Sequence, residues 1–175
     1  DYRHYVIFSA KIALFLRFKQ KSKFIKMSDF DRKIITDAIT RMLARREHSR
    51  VEARTKLSQK GFDPEAYLPV LQEFTEADIQ SDGRYAEMRV RACASKGIGP
   101  ERIQRELSQH QIDHYVVQEA MKEADVDWFE LALNVKIKKF GEGRETDFKA
   151  RQKQMQFMNY RGFTRDQIQY AVNGD

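Results

Sequence analysis

The chain has 175 residues, of which 33% are charged and 41% hydrophobic, with three prolines and one cysteine. A chain of that length buries roughly 70% of its unfolded surface, so a packed core needs neither disulfide nor metal. The lone cysteine excludes an internal disulfide, and the lack of sustained apolar alternation argues against a sheet.

The formal net charge of +6 raises nucleic acid as a partner, but the excess is unevenly placed. Residues 1–26 carry seven Lys and Arg against Asp1 alone, and residues 27–175 carry 25 of each sign. The apolar run Tyr5–Leu16 is broken by Lys11 and too short to span a bilayer, and no small-residue cleavage site follows it. Three readings of this segment stand: an amphipathic helix for a membrane or partner, a basic nucleic-acid arm, or sequence ahead of a natural start. Met27, followed by the capping residues Ser28 and Asp29, favours the third, so residues 1–26 are set aside as an N-terminal extension.

From Asp31 the sequence repeats with a period near fifty residues. Phe62, Ile112 and Phe163 fall at equivalent places, followed by the helix-capping residues Asp63, Asp113 and Thr164. Gly61 and Gly162 precede the first and third of these, and Gln111 stands in the middle unit, where it is expected to distort a helix end. The pattern predicts an all-α fold, an elongated array of three tandem three-helix repeats at residues 27–82, 83–125 and 126–175.

In the first repeat, Ile35, Ile39, Met42 and Leu43 mark a helix. Ser49 caps a second, with Ala53 and Leu57 inward, and Asp63-Pro64-Glu65 opens a third. Pro69 is expected to kink that third helix or shift its start.

The central repeat opens at the turn signal Ser81-Asp82-Gly83, and Tyr85, Met88 and Ala92 recur at helical spacing beyond it. Lys96-Gly97-Ile98-Gly99-Pro100 ends that helix, with Gly97 suited to a left-handed cap and Pro100 to the first turn of the next. Ile103 and Leu107 form an apolar stripe, leaving Arg102 and Arg105 on another face. Asp113 caps the helix that follows. Cys93 lies among apolar positions and reads as a small core residue.

Asp82-x-Arg84-Tyr85-Ala86, followed by Lys96-Gly97-x-Gly99-Pro100-x-Arg102-Ile103-x-x-Glu106-Leu107, resembles the central signature of the RecX family. These bacterial proteins bind and restrain the RecA recombinase filament. The likeness extends more weakly from about Asp31 to the C-terminus, and Gln111 departs from the family's usual glycine.

The third repeat starts at Asp127-Trp128, with Trp128 expected as a core anchor. Gly141-Glu142-Gly143 makes a longer break, a helix runs from about Thr146 to Tyr160, and a last one starts at Thr164. Charge follows the repeat. The first two helices of each unit are rich in Lys and Arg and the third helix with the link after it is acidic, which predicts a positive and a negative face if the units stack in one sense.

Chemistry-bearing constellations are thin. His110 and His114 have ligand-like spacing, but Asp113 opens a new helix between them, so no metal site is expected. Gly97-x-Gly99 and Gly141-x-Gly143 lack the preceding strand of a dinucleotide-binding loop. No enzyme and no cofactor are expected.

What the resemblance implies is a monomeric cytoplasmic regulator that binds the RecA filament and inhibits recombination, ATPase and co-protease activity. The alternative is a direct single-stranded DNA-binding module acting through a basic helical face. The expected contact residues are Arg84, Lys96 and Arg102 at matched signature positions, and Arg105 by its face shared with Arg102. Lys136, Lys139, Lys149 and Lys153 join them from charge placement alone.

Overall fold

The computed structural model describes residues 29–173, which contain nine α-helices and no strand. The extension 1–26, with the readings offered for it, lies outside the described residues. The helices are α1 (Asp29–Leu43), α2 (Arg50–Gln59), α3 (Pro64–Glu76), α4 (Asp82–Ala94), α5 (Pro100–Gln109), α6 (His114–Glu123), α7 (Trp128–Phe140), α8 (Phe148–Arg161) and α9 (Arg165–Asn173). They form two compact units, one ending at Tyr85 and the other beginning at Ala86.

In the first unit, α1 and α2 each pack on α3. Ile35, Ile39, Leu57, Leu71 and Phe74 fill the space between them at 1% exposure or less. The capping side chains act as the sequence requires: Ser49 Oγ accepts from Glu52 N at 3.0 Å and Asp63 Oδ1 from Glu65 N at 2.9 Å. α3 runs unbroken through Pro69. That residue lies on the exposed side, so the carbonyl its missing N–H would have bonded faces solvent.

In the second unit, α5 packs on α6, and α7 on α8 and α9. Ala86, Val90 and Cys93 carry the buried face of α4, while Met88 and Ala92 are only half-buried. Met158, Phe163, Ala171 and Val172 form the core of the last three helices. Asp127 caps α7 through Phe129 N and Glu130 N. Thr164 and Gln167 bond reciprocally, side chain to backbone, at the start of α9. Trp128 is half-buried, so it flanks this core without anchoring it.

Three equivalent turns take positive φ, at Gly61 (83°), Gln111 (55°) and Gly162 (89°). The middle turn therefore holds a left-handed backbone without glycine. It closes with the same hydrogen bonds as the other two, Ile112 N to Leu107 O matching Phe62 N to Leu57 O, so the helix end expected to be distorted at Gln111 keeps its form.

The turn at Gly162 joins the last three helices to α5. Gly99 caps α5 with no side chain; its N–H donates instead to Arg161 O, and Glu101 N–H donates to Gly162 O, both at 2.9 Å. The open amides of one helix thus meet the open carbonyls of another. A Cβ on Gly99 would lie 2.4 Å from the Gly162 carbonyl, and one on Gly162 would lie 2.6 Å from Arg102 N. Both glycines are held by close backbone approach.

Candidate functional site

The described residues contain no cluster of three or more His, Cys, Asp or Glu able to hold a metal ion. None of their helices is long and apolar enough to cross a membrane. What the fold displays is a set of cations, and these divide by whether the fold itself neutralises them.

Arg84 belongs to the neutralised group. Its guanidinium donates to Glu47 Oε1 and Asp78 Oδ1 at 2.8 Å and to the Asp78 and Ile79 carbonyls at 3.0 Å. Burial works against its charge, but Glu47 and Asp78 outweigh that and hold its pKa above the ordinary arginine value. Asp82, the other polar residue of the same signature stretch, accepts from Arg50 N at 2.7 Å and from buried Gln80 at 2.9 Å. These side chains tie the α3–α4 link to the start of α2. Arg84 is therefore committed within the fold, which removes it from the expected contact set.

Arg32 pairs with Glu73, Arg46 with Glu52, and Arg89 of α4 with Glu106 of α5. Cys93 lies 3.9 Å from Glu106 Oε2, and burial followed by that carboxylate pushes its thiol pKa up. It is a packed, unreactive thiol.

Lys136 also leaves the contact set. It is 3% exposed and donates to the carbonyls of Gly141 and Gly143, closing the loop after α7 at the negative end of that helix. It lies four residues after Ala132, which is 0% exposed, so the two share the inward face.

The other expected cations have no carboxylate partner among the described residues. Arg102 is half-buried, with its guanidinium 5.3 Å from the Tyr160 ring centroid and 3.5 Å from Tyr160 O. Arg105 is exposed and donates only to the Glu101 carbonyl, at 3.3 Å. The two arginines line an open groove of about 840 Å³ with Glu106, Gln109, Asn159 and Tyr160. Tyr160 is 72% exposed. Lys149 and Lys153 project from the same side of α8 as Tyr160 by helical spacing, and both are exposed.

Lys96 and Lys139 come together elsewhere. With Lys138, Arg161, Asn134 and Phe157 they line a second hollow of about 430 Å³, where the end of α4 meets α7 and α8. Gly97 makes that approach possible: its φ is +69°, and a Cβ there would come within 2.6 Å of Val135 Cγ2. Sequence reasoning missed Lys138 and Arg161. The i, i+4 pairs Asn134/Lys138 and Phe157/Arg161 carry the signal, but only the tertiary meeting of three helices makes a hollow of them.

The described residues thus build an all-α chain of three-helix units in which Arg102 and Arg105 line one hollow of the second unit and Lys96 and Lys139 another. Three family models, described as the first, second and third three-helix domains of RecX, match residues 37–74, 81–121 and 125–172. The chain belongs to the RecX family. Among curated relatives, a Regulatory protein RecX from Halorhodospira halophila is 41% identical over 138 residues, covering 79% of this chain and 86% of its own. One from Vibrio vulnificus is 37% identical, covering 79% and 91%. A crystal structure of a regulatory protein RecX shares the fold with a TM-score of 0.70 at 17% identity, over 93% of this chain and 87% of that one. The relatives' name points to regulation rather than catalysis.

Proposed function

We propose that the protein binds the RecA recombinase filament and restrains it, lowering recombination, ATPase and co-protease activity. It acts as a monomer in the bacterial cytoplasm. Membership of a family of regulatory proteins supports this reading, and the observation that carries it to residues is the division of the cations. Arg102 and Arg105 keep open charge in the Tyr160 groove, with Lys149 and Lys153 exposed farther along the same side of α8, whereas Arg32, Arg46, Arg84 and Arg89 are already paired. The groove also presents Glu101 and Glu106, so it suits a protein surface bearing both signs.

Arg105 is the residue to test, because it is exposed and makes no side-chain contact that the fold needs. Arg105→Glu with Lys153→Glu is expected to leave the melting temperature unchanged and abolish co-sedimentation with recombinase filaments. Equal filament binding by wild type and variant would reject the groove as the contact surface. Direct binding of single-stranded DNA is the second reading, favoured by the carboxylate-free lining around Lys96 and Lys139. The same sedimentation run with naked DNA separates the two.

A further inference from the structure

The hollow between α4, α7 and α8 is chemically unlike the Tyr160 groove. Four of its lining side chains are cations, and no carboxylate stands among them. Lys96, Lys138 and Lys139 are exposed and have no ion-pair partner among the described residues. Arg161 is held in place: its guanidinium lies 5.2 Å from the Phe157 ring centroid and donates to Lys96 O at 2.9 Å. That bond occupies one of the five donors of a planar guanidinium, so a fork of N–H groups stays free to meet a ligand.

We propose that this hollow is a phosphate-binding site whose ligand is the phosphate ester of a nucleotide, either within a strand or free. The volume of about 430 Å³ lies in the range of roughly 300–1,000 Å³ usual for small-molecule sites. Three mobile ammonium groups around one fixed guanidinium suit a phosphoryl group with several anionic oxygens better than a single carboxylate. Asn134 adds a neutral donor at the rim, and Phe157 and Val135 supply an apolar wall beside the charge. The strand form of this ligand rests on the second reading above, direct binding of single-stranded DNA, and gives that reading its site, whereas the free-nucleotide form stands apart from both readings.

The test uses the whole chain and three probes at one ionic strength: a short oligothymidylate, ATP, and a glutamate oligomer of matched charge. Lys138→Gln with Lys139→Gln is compared with Lys60→Gln with Lys122→Gln, which makes the same charge change at exposed sites outside the hollow. The hollow variant is expected to lose affinity for a phosphate probe by about tenfold, and the control to lose little. For the oligonucleotide, the logarithmic salt slope should fall by about 0.7 for each phosphate contact removed. Loss of ATP and oligonucleotide binding together assigns a free nucleotide as ligand; loss for the oligonucleotide alone assigns a strand phosphate. Arg161→Lys, which keeps the charge and removes the fork, should weaken phosphate binding as well. Equal losses in both double variants would overturn the proposal in favour of diffuse attraction, as would tighter binding of the glutamate oligomer than of either phosphate probe. The regulatory reading of the Tyr160 groove is measured separately, by filament sedimentation of the same variants, and can fail without affecting this result.

Discussion

At Gln111 the backbone holds φ at 55°, in a turn where the other two units place glycine. A side chain in this conformation costs about 1–2 kcal/mol relative to the right-handed region, and glycine returns part of that gain through its freer unfolded chain. Gln111→Gly is therefore expected to stabilise the second unit by roughly 0.5–1 kcal/mol, seen as a higher denaturant midpoint at unchanged slope. A lower midpoint would mean that the Gln111 side chain holds the turn in some other way. His48 makes the opposite kind of residue-scale statement. It is 3% exposed, Nδ1 sits 3.0 Å from Arg46 O, and Glu52 lies 3.9 Å from Nε2. Burial sets its pKa below the ordinary 6.5, ahead of the opposing pull of the Arg46 carbonyl and Glu52. The unfolded chain therefore takes up the proton first, and the first unit loses stability as pH falls below about 6.5. Glu52 extends the loss. Burial raises its pKa, but Arg46, His48 and Lys56 prevail and leave it below the ordinary 4.5, so its contribution fades only under stronger acid. Thermal melts between about pH 8 and pH 5 should show the first step, and His48→Gln should flatten it. A flat wild-type profile over that range would contradict the assigned direction.

Among the elements, the glycines in corresponding turns after α2 and α8 look alike in sequence but carry different loads. Gly61 has φ of +83° and open space within 4 Å of where a Cβ would stand, so Gly61→Ala meets backbone strain alone, about 1 kcal/mol. Gly162 has φ of +89° and also faces Arg102 Cβ at 2.3 Å and Arg102 N at 2.6 Å. Neither can move without shifting α5, so Gly162→Ala should cost more than about 2 kcal/mol. Parallel chemical denaturation of the two variants checks the difference, and equal losses would refute the tight junction. The element level is also where the sequence was most legible. Ser49, Asp63, Asp113, Asp127 and Pro100 start helices where capping chemistry says they should, because caps act within four residues. Local pattern could not reveal that Arg84 would commit its donors to Glu47, thirty-seven positions away, or that Lys136 would turn inward. Both are basic residues whose role depends on which carbonyls and carboxylates the fold brings near them.

For the whole molecule, charge and architecture are separable. The formal excess of +6 lies wholly within residues 1–26, while the repeats carry equal numbers of both signs. A protein starting at Met27 is expected to keep its helical content and filament binding but to bind bare single-stranded DNA more weakly. The comparison by circular dichroism and sedimentation would fail this expectation if the shortened chain lost its helices. The fifty-residue period was readable at this scale, whereas the charge alternation is not carried by every helix, since Asp29–Leu43 holds three residues of each sign and Arg165–Asn173 one of each. The open site was not, since the residues lining each hollow come from helices far apart in the chain.

The meeting of α5 with the Gly162 turn has an evolutionary corollary. Its two hydrogen bonds run between main-chain atoms, and its closeness depends on hydrogens standing where side chains would be. Such a joint stores almost no information in residue identity beyond Gly99 and Gly162. The amide of Glu101 does the joining whatever side chain it carries, so the bond itself does not depend on the carboxylate that this residue presents to the groove. Geometry inherited through the backbone can outlast sequence, and a shared fold at 17% identity is the kind of divergence this allows.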